Sequence, residues 1–166
     1  MVPTVVSVEE YLSTDYSPDC DYVDGVVEER NVGQKKHGLV QKMVLLFFTR
    51  LEEQLGIFSL QEQRVKVGPT RFRVPDICVM LGEPDEEIFT TAPLLCVEVL
   101  SPDDRMSRMQ EKIGDFLRAG VRYVWVVDPY SRKAWTYTSE GSFEAKDGVL
   151  RTKDPDIAMP LSDVLP

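Results

Sequence analysis

The chain carries a single histidine, His37, and three cysteines among 166 residues. One histidine cannot build a histidine-based zinc centre. Cys20, Cys78 and Cys96 are odd in number and lack the CxxC spacing of a metal or redox pair. Cys78 and Cys96 also sit inside apolar runs, so all three read as reduced core residues of a cytoplasmic protein. No apolar run reaches the roughly 18 residues of a membrane span. Residues 1–4 lack the basic and apolar regions of a secretory signal, so no membrane partner is expected. A glycine-rich phosphate loop, a GxSxG elbow and a credible Cys/His pair are all missing, which excludes P-loop, serine-hydrolase and thiol-hydrolase chemistry. Basic charge is in deficit too: 19 Lys and Arg against 28 Asp and Glu, a net −9. That argues against a general polyanion binder, because basic side chains supply most non-specific nucleic-acid affinity. It leaves room for a nuclease, whose site acids add to the count.

What is present is an ordinary globular composition, 43% hydrophobic and 28% charged. Its length suits one domain with its own core over residues 1–166. Ser7, with Glu10 three residues on, is a capping box opening a short helix over about 8–13. Residues 22–28 read as a hairpin turning at Asp24-Gly25. The loop 30–34 leads to a long helix over about 36–54, closed by Gly56. Val40, Met43, Val44, Phe47, Phe48 and Leu51 give it one apolar stripe for a sheet.

Residues 57–67 and 70–81 read as two long strands joined at Gly68-Pro69, 82–91 as a solvated acidic loop, and 94–100 as a third strand. Ser101 reads as the N-cap of a helix with Pro102 at its first position. Met106, Met109, Ile113, Phe116 and Leu117 form its buried stripe, and Gly120 ends it. Residues 123–128 make a fourth strand, 133–137 and 142–146 pair as a hairpin, and the tail from 154 caps the domain. The order predicts an α/β protein, a mixed sheet flanked by helices.

Two acids, Asp76 and Glu98, stand alone in apolar, β-branched segments. A buried carboxylate without a partner is costly, so both are expected to share something positive, a basic side chain or a metal ion. At adjacent strand ends facing a cleft, two carboxylates suit a hard cation, Mg²⁺ or Mn²⁺. Lys112 lies about 16 Å up its helix from the cap, and Glu98 about 10 Å down its strand. If the helix folds back along the strand, the levels differ by about 6 Å, a gap that a lysine tilted toward the helix N-terminus spans. Without that geometry a lone helical lysine faces solvent. Glu28 shares a strand face with Val26 and is the inward member of Glu28-Glu29. His37 opens the long helix and reads as a phosphate contact, a neighbour of a metal site or an ordinary helix-terminus residue.

Pro75-Asp76, Glu98-Val99-Leu100-Ser101, Lys112 in the next helix, Ala119-Gly120-Val121 and Trp125-Val126-Val127-Asp128-Pro129 together resemble the Uma-two-type family of restriction endonucleases, within the PD-(D/E)xK nuclease superfamily. Val8-Glu9-Glu10-Tyr11-Leu12, the Asp24-Gly25 turn with Glu28, and His37 fit the same pattern. The resemblance covers about residues 7–140. It implies a restriction-endonuclease-like α/β fold and metal-dependent hydrolysis of DNA. It further implies that Asp76, Glu98 and the backbone carbonyl of Val99 hold Mg²⁺ or Mn²⁺. Lys112 would orient the attacking water and stabilise charge on the phosphate, with Glu28, His37 and Ser101 in support. A homodimer is implied as well, and Trp135 and Tyr137, alternating with polar residues, are the candidate contacts. The chain departs from the wider superfamily at Leu100, where the catalytic lysine normally stands; the resemblance moves that role to Lys112. The alternative is a catalytically silent nucleic-acid-binding or protein-interaction domain on the same fold. The acidic net charge favours it and the paired acids disfavour it.

Overall fold

The two long strands expected between residues 57 and 81 are each cut in half, and the cuts organise the fold. The structure is a computed structural model describing residues 4–31 and 33–166; the expectation for the first three residues lies outside them. Its elements are α1 (Val8–Leu12), β1 (Asp21–Val23), β2 (Val26–Glu28), α2 (Lys35–Thr49), α3 (Glu52–Leu55), β3 (Phe58–Gln61), β4 (Val65–Gly68), β5 (Arg71–Arg73), β6 (Ile77–Met80), β7 (Leu95–Val99), α4 (Met106–Arg118), β8 (Tyr123–Asp128), β9 (Lys133–Thr138), β10 (Gly141–Glu144), β11 (Val149–Thr152), β12 (Ile157–Pro160) and α5 (Leu161–Val164). A six-stranded sheet runs β10-β9-β8-β7-β6-β3, and a four-stranded sheet runs β2-β1-β5-β4. The chain crosses from one sheet to the other after β3 and returns before β6.

Both crossings have local causes. Glu62 takes a positive φ of 50° that bends the first strand away. Pro75 has no N–H to donate, so the ladder cannot continue through it. Asp76 follows directly, at the point where the chain re-enters the larger sheet.

Within that sheet β7 and β8 are parallel and the other pairs antiparallel. The parallel pair is joined by α4, as such pairs require. Alternation sorts the side chains. Ile77, Val79, Leu95, Val97 and Val99 face α2, where they pack with Val40, Val44 and Phe48. Cys78, Met80 and Cys96 face α4, with Met109, Ile113 and Phe116. Glu98 is two residues from Cys96, so it points to the α4 side. The three cysteines are buried and free.

Several expectations need correction. The long helix ends at Thr49, whose hydroxyl bonds the Leu45 carbonyl at 2.8 Å, a back-bond that weakens a helix. Met43 sits at the solvent boundary of its stripe rather than inside it. Ser101 does not cap α4. Its N–H is taken by the Asp104 carboxylate at 2.7 Å, which closes a turn, and the helix begins after Arg105. Met106 is therefore in the first turn and 61% exposed. Within the acidic loop Phe89 is buried and bridges to Val65. Trp135 and Tyr137 are half-buried against the α4-side core. The tail adds a hairpin, β11 with β12, whose Leu150, Ile157 and Met159 join Leu161 and Val164 of α5 in the α2-side core.

Candidate active site

The return crossing before β6 positions the acids. Ile77 faces Val97 across the β6–β7 ladder, so Asp76 and Glu98 are one step further along it. Both are buried, at 3% exposure each, on the floor of an open cavity of about 390 Å³. Asp76 is held from several directions. Its Oδ2 accepts the Val99 N–H at 2.7 Å and lies 3.4 Å from His37 Nε2. Its Oδ1 accepts Arg30 Nη2 at 2.8 Å. Gln41 and the Glu62 N–H donate to its backbone carbonyl. Burial works against its charge, but the His37 contact and the Arg30, His37 and Lys112 charges outweigh it and hold the carboxyl below its usual range.

Lys112 comes from the facing helix. With α4 starting at Met106, it sits about two turns in. It is 8% exposed, and its Nζ stands 2.9 Å from Glu98 Oε1 and 3.7 Å from Asp21 Oδ2. The same ammonium donates to the Val74 carbonyl at 2.9 Å. Burial opposes its charge, and the carboxylates of Asp21, Glu98 and Asp76 outweigh burial to raise its pKa. Glu98 goes the other way from Asp76. Desolvation pushes it up to about 7 against the pull of Lys112 and Arg30. Its Oε1 is fully buried and, although Lys112 is close, no donor among the described residues meets it with hydrogen-bond geometry.

The remaining sequence candidates line the same cavity. Glu28 accepts from Arg73 at 3.2 Å and pairs with Arg108 at 3.3 Å, so it anchors two arginines beside the acids rather than touching them. Ser101 Oγ accepts from Asn31 Nδ2 at 3.3 Å at the rim. His37 touches Asp76, and that contact above all raises its pKa. Val99 lines the cavity and bonds Asp76 through its N–H.

Sequence reasoning missed four cavity or wall residues. Asp21 and Arg73 each have apolar immediate neighbours, but Asp19 and Arg71 two residues before them give both stretches the alternation of a half-exposed strand. Asp21 Oδ1 accepts the Val74 N–H at 2.8 Å, and Arg73, 2% exposed, bonds Asp115 Oδ2 at 2.7 Å. Arg30, in a polar loop, and Asp115, on a charged helix, likewise gave no signal.

The donors fit a hard cation: two carboxylates opposite each other across the β6–β7 register, one with a buried oxygen lacking a directed donor. Among the described residues no three His, Cys, Asp or Glu side chains already converge as a preformed cluster. Backbone oxygen and water would have to complete any coordination.

The mixed sheet with a helix on each face is a restriction-endonuclease-like fold, and Asp76, Glu98 and Lys112 come together where the chain re-enters the larger sheet. The family model "Uma2: Putative restriction endonuclease" matches residues 8–163, and the chain belongs to that family. Among solved structures it is similar to the crystal structure of a "putative nuclease belonging to DUF820" from Anabaena variabilis. The TM-score is 0.81 at 21% identity, covering 96% of this chain and 97% of that one. At that identity the likeness speaks for the fold. No curated protein matches the chain. Among the described residues no helix is long and apolar enough to cross a membrane.

Proposed function

We propose that this chain is a nuclease that hydrolyses DNA phosphodiester bonds with Mg²⁺ or Mn²⁺. The observation that carries the reading is the Lys112 ammonium 2.9 Å from Glu98, which lies opposite Asp76 in the β6–β7 register, on the floor of an open cavity. Asp76, Glu98 and the Val99 carbonyl would hold the metal. When bound, a divalent ion lowers the pKa of a water and offsets charge on the phosphate. Asp76, kept ionised by its surroundings, supplies a negative oxygen at neutral pH. Lys112 stays charged although largely buried and is held by the Val74 carbonyl, so its proton-bearing nitrogen has a fixed place from which to meet a phosphate oxygen and orient a water. His37, through Asp76, and Glu28, through Arg73 and Arg108, position the walls. Arg105 and Arg108 at the cavity give an acidic chain a local basic contact for a DNA backbone.

A homodimer belongs to the same proposal, since a two-fold pair of sites addresses both strands of a duplex. A light-scattering mass of 18.9 kDa at micromolar concentration would contradict it.

One observation favours a second reading, the silent domain: each acid has a cationic side-chain partner of its own, Arg30 on Asp76 and Lys112 on Glu98. Nicking of supercoiled plasmid with Mg²⁺ or Mn²⁺ separates the two. The proposal expects nicking by the wild type and none by Asp76→Ala. No nicking by the wild type under any divalent ion would leave the silent domain ahead.

A further inference from the structure

Asp76 presents only one oxygen that is not committed to the protein backbone. Oδ2 accepts the Val99 N–H at 2.7 Å, whereas Oδ1 accepts Arg30 Nη2 at 2.8 Å. The oxygen best placed to bind an ion therefore already carries a cation. The two cations of the site are held very differently. Lys112 is fixed by the Val74 carbonyl, Glu98 and Asp21 at 2.9, 2.9 and 3.7 Å, and it projects from a helix. Arg30 projects from the connection between β2 and α2. Among the described residues it donates to no backbone carbonyl. Its other terminal nitrogen lies 3.5 Å from Glu62 Oε1, a side chain 44% exposed. A guanidinium and a divalent ion on one carboxylate oxygen repel each other in a buried setting where charge is weakly screened.

We propose that Arg30 is a place-holder cation: it neutralises Asp76 Oδ1 while the site is empty and withdraws from that oxygen when the site is filled. The inference rests on the metal reading above and adds a residue that competes with the ion. Arg30 thereby sets how tightly the site holds a metal without contributing a ligand to it.

Calorimetric titration of Mn²⁺ into the full-length wild type, Arg30→Gln and Arg30→Met tests this, with melting temperature as the check on folding. Arg30→Met keeps the aliphatic stem in case the glutamine variant does not fold. Both neutral variants are expected to bind Mn²⁺ at least about tenfold more tightly than the wild type, because one competing charge has gone. Binding by the variants where the wild type shows none supports the role equally. Equal or weaker binding by a folded variant, with binding retained in the wild type, overturns the place-holder and leaves the metal site standing. Absence of Mn²⁺ binding from all three chains overturns both.

Discussion

Two of the arginine–aspartate pairs in this molecule, Arg64–Asp19 and Arg30–Asp76, are held in contrasting ways. Arg64 meets both oxygens of Asp19 at 2.8 Å, donates to the carbonyls of Tyr11 and Thr14, and lies 4.3 Å over the Tyr11 ring. None of these residues lines the cavity that holds Asp76 and Glu98. Arg30 meets Asp76 through one nitrogen, and Asp76 is shared with His37 and the Val99 N–H at the cavity floor. The first pair is a clamp holding α1 to the smaller sheet. Its planar fork is matched by a planar acid and an aromatic face, the arrangement in which arginine is least replaceable. The second pair is a contact with alternatives on both sides. Burial and opposite charge do not by themselves mark a candidate site; the pair singled out above is the one whose acid also meets a histidine and lines a cavity.

Three variants test that contrast, beginning with the largest effect on stability. Arg64→Met should destabilise the fold by about 2–4 kcal/mol, because Asp19 and two carbonyls lose their donors together. Urea unfolding measures it. Arg30→Gln should cost at most about 1 kcal/mol in the same assay, since Asp76 keeps His37 and the Val99 N–H. Comparable losses in the two variants would erase the distinction.

A third aspartate has no arginine at all. Asp128 accepts from the Tyr130 and Ser131 N–H groups and the Ser131 hydroxyl, closing the turn after β8. Partial burial opposes its charge, and these donors, led by the Ser131 hydroxyl, outweigh it and lower its pKa. A lowered folded-state pKa means that the stabilisation is present above the unfolded value and fades as pH falls through the folded one. Asp128→Asn should therefore cost roughly 0.5 kcal/mol at neutral pH. Its melting temperature should converge with that of the wild type on acidification. A gap that persists at low pH would contradict this.

The same contrast explains what could be read from the residues alone. Asp76 and Glu98 were legible because an acid isolated in an apolar strand demands a partner. The lysine beside Glu98 was legible from the family resemblance more than from helix and strand rise, since that count began at Ser101 and α4 begins after Arg105. The later start of α4 was hidden because Ser101-Pro102 followed by acids also matches a helix start; only the Asp104 carboxylate closing on the Ser101 N–H decides for a turn. The split of two strands between two sheets was hidden because residues on either side of Glu62 and Pro75 remain strand-like. Pro75 was the available clue. Arg30 and Arg64 were not legible, since each sits in a polar stretch and finds its acid 46 and 45 residues away.

The account stands or falls on Lys112 acting from α4 in the place that Leu100, just past the end of β7, leaves vacant. Plasmid cleavage by Lys112→Met, with Mn²⁺ affinity measured on the same sample, tests this most directly. Methionine retains most of the buried stem and removes the charge. The account predicts a folded protein that still binds Mn²⁺ but cleaves at least a hundredfold more slowly, about the loss expected for one charge-stabilising group. Cleavage at the wild-type rate by a folded Lys112→Met would contradict it.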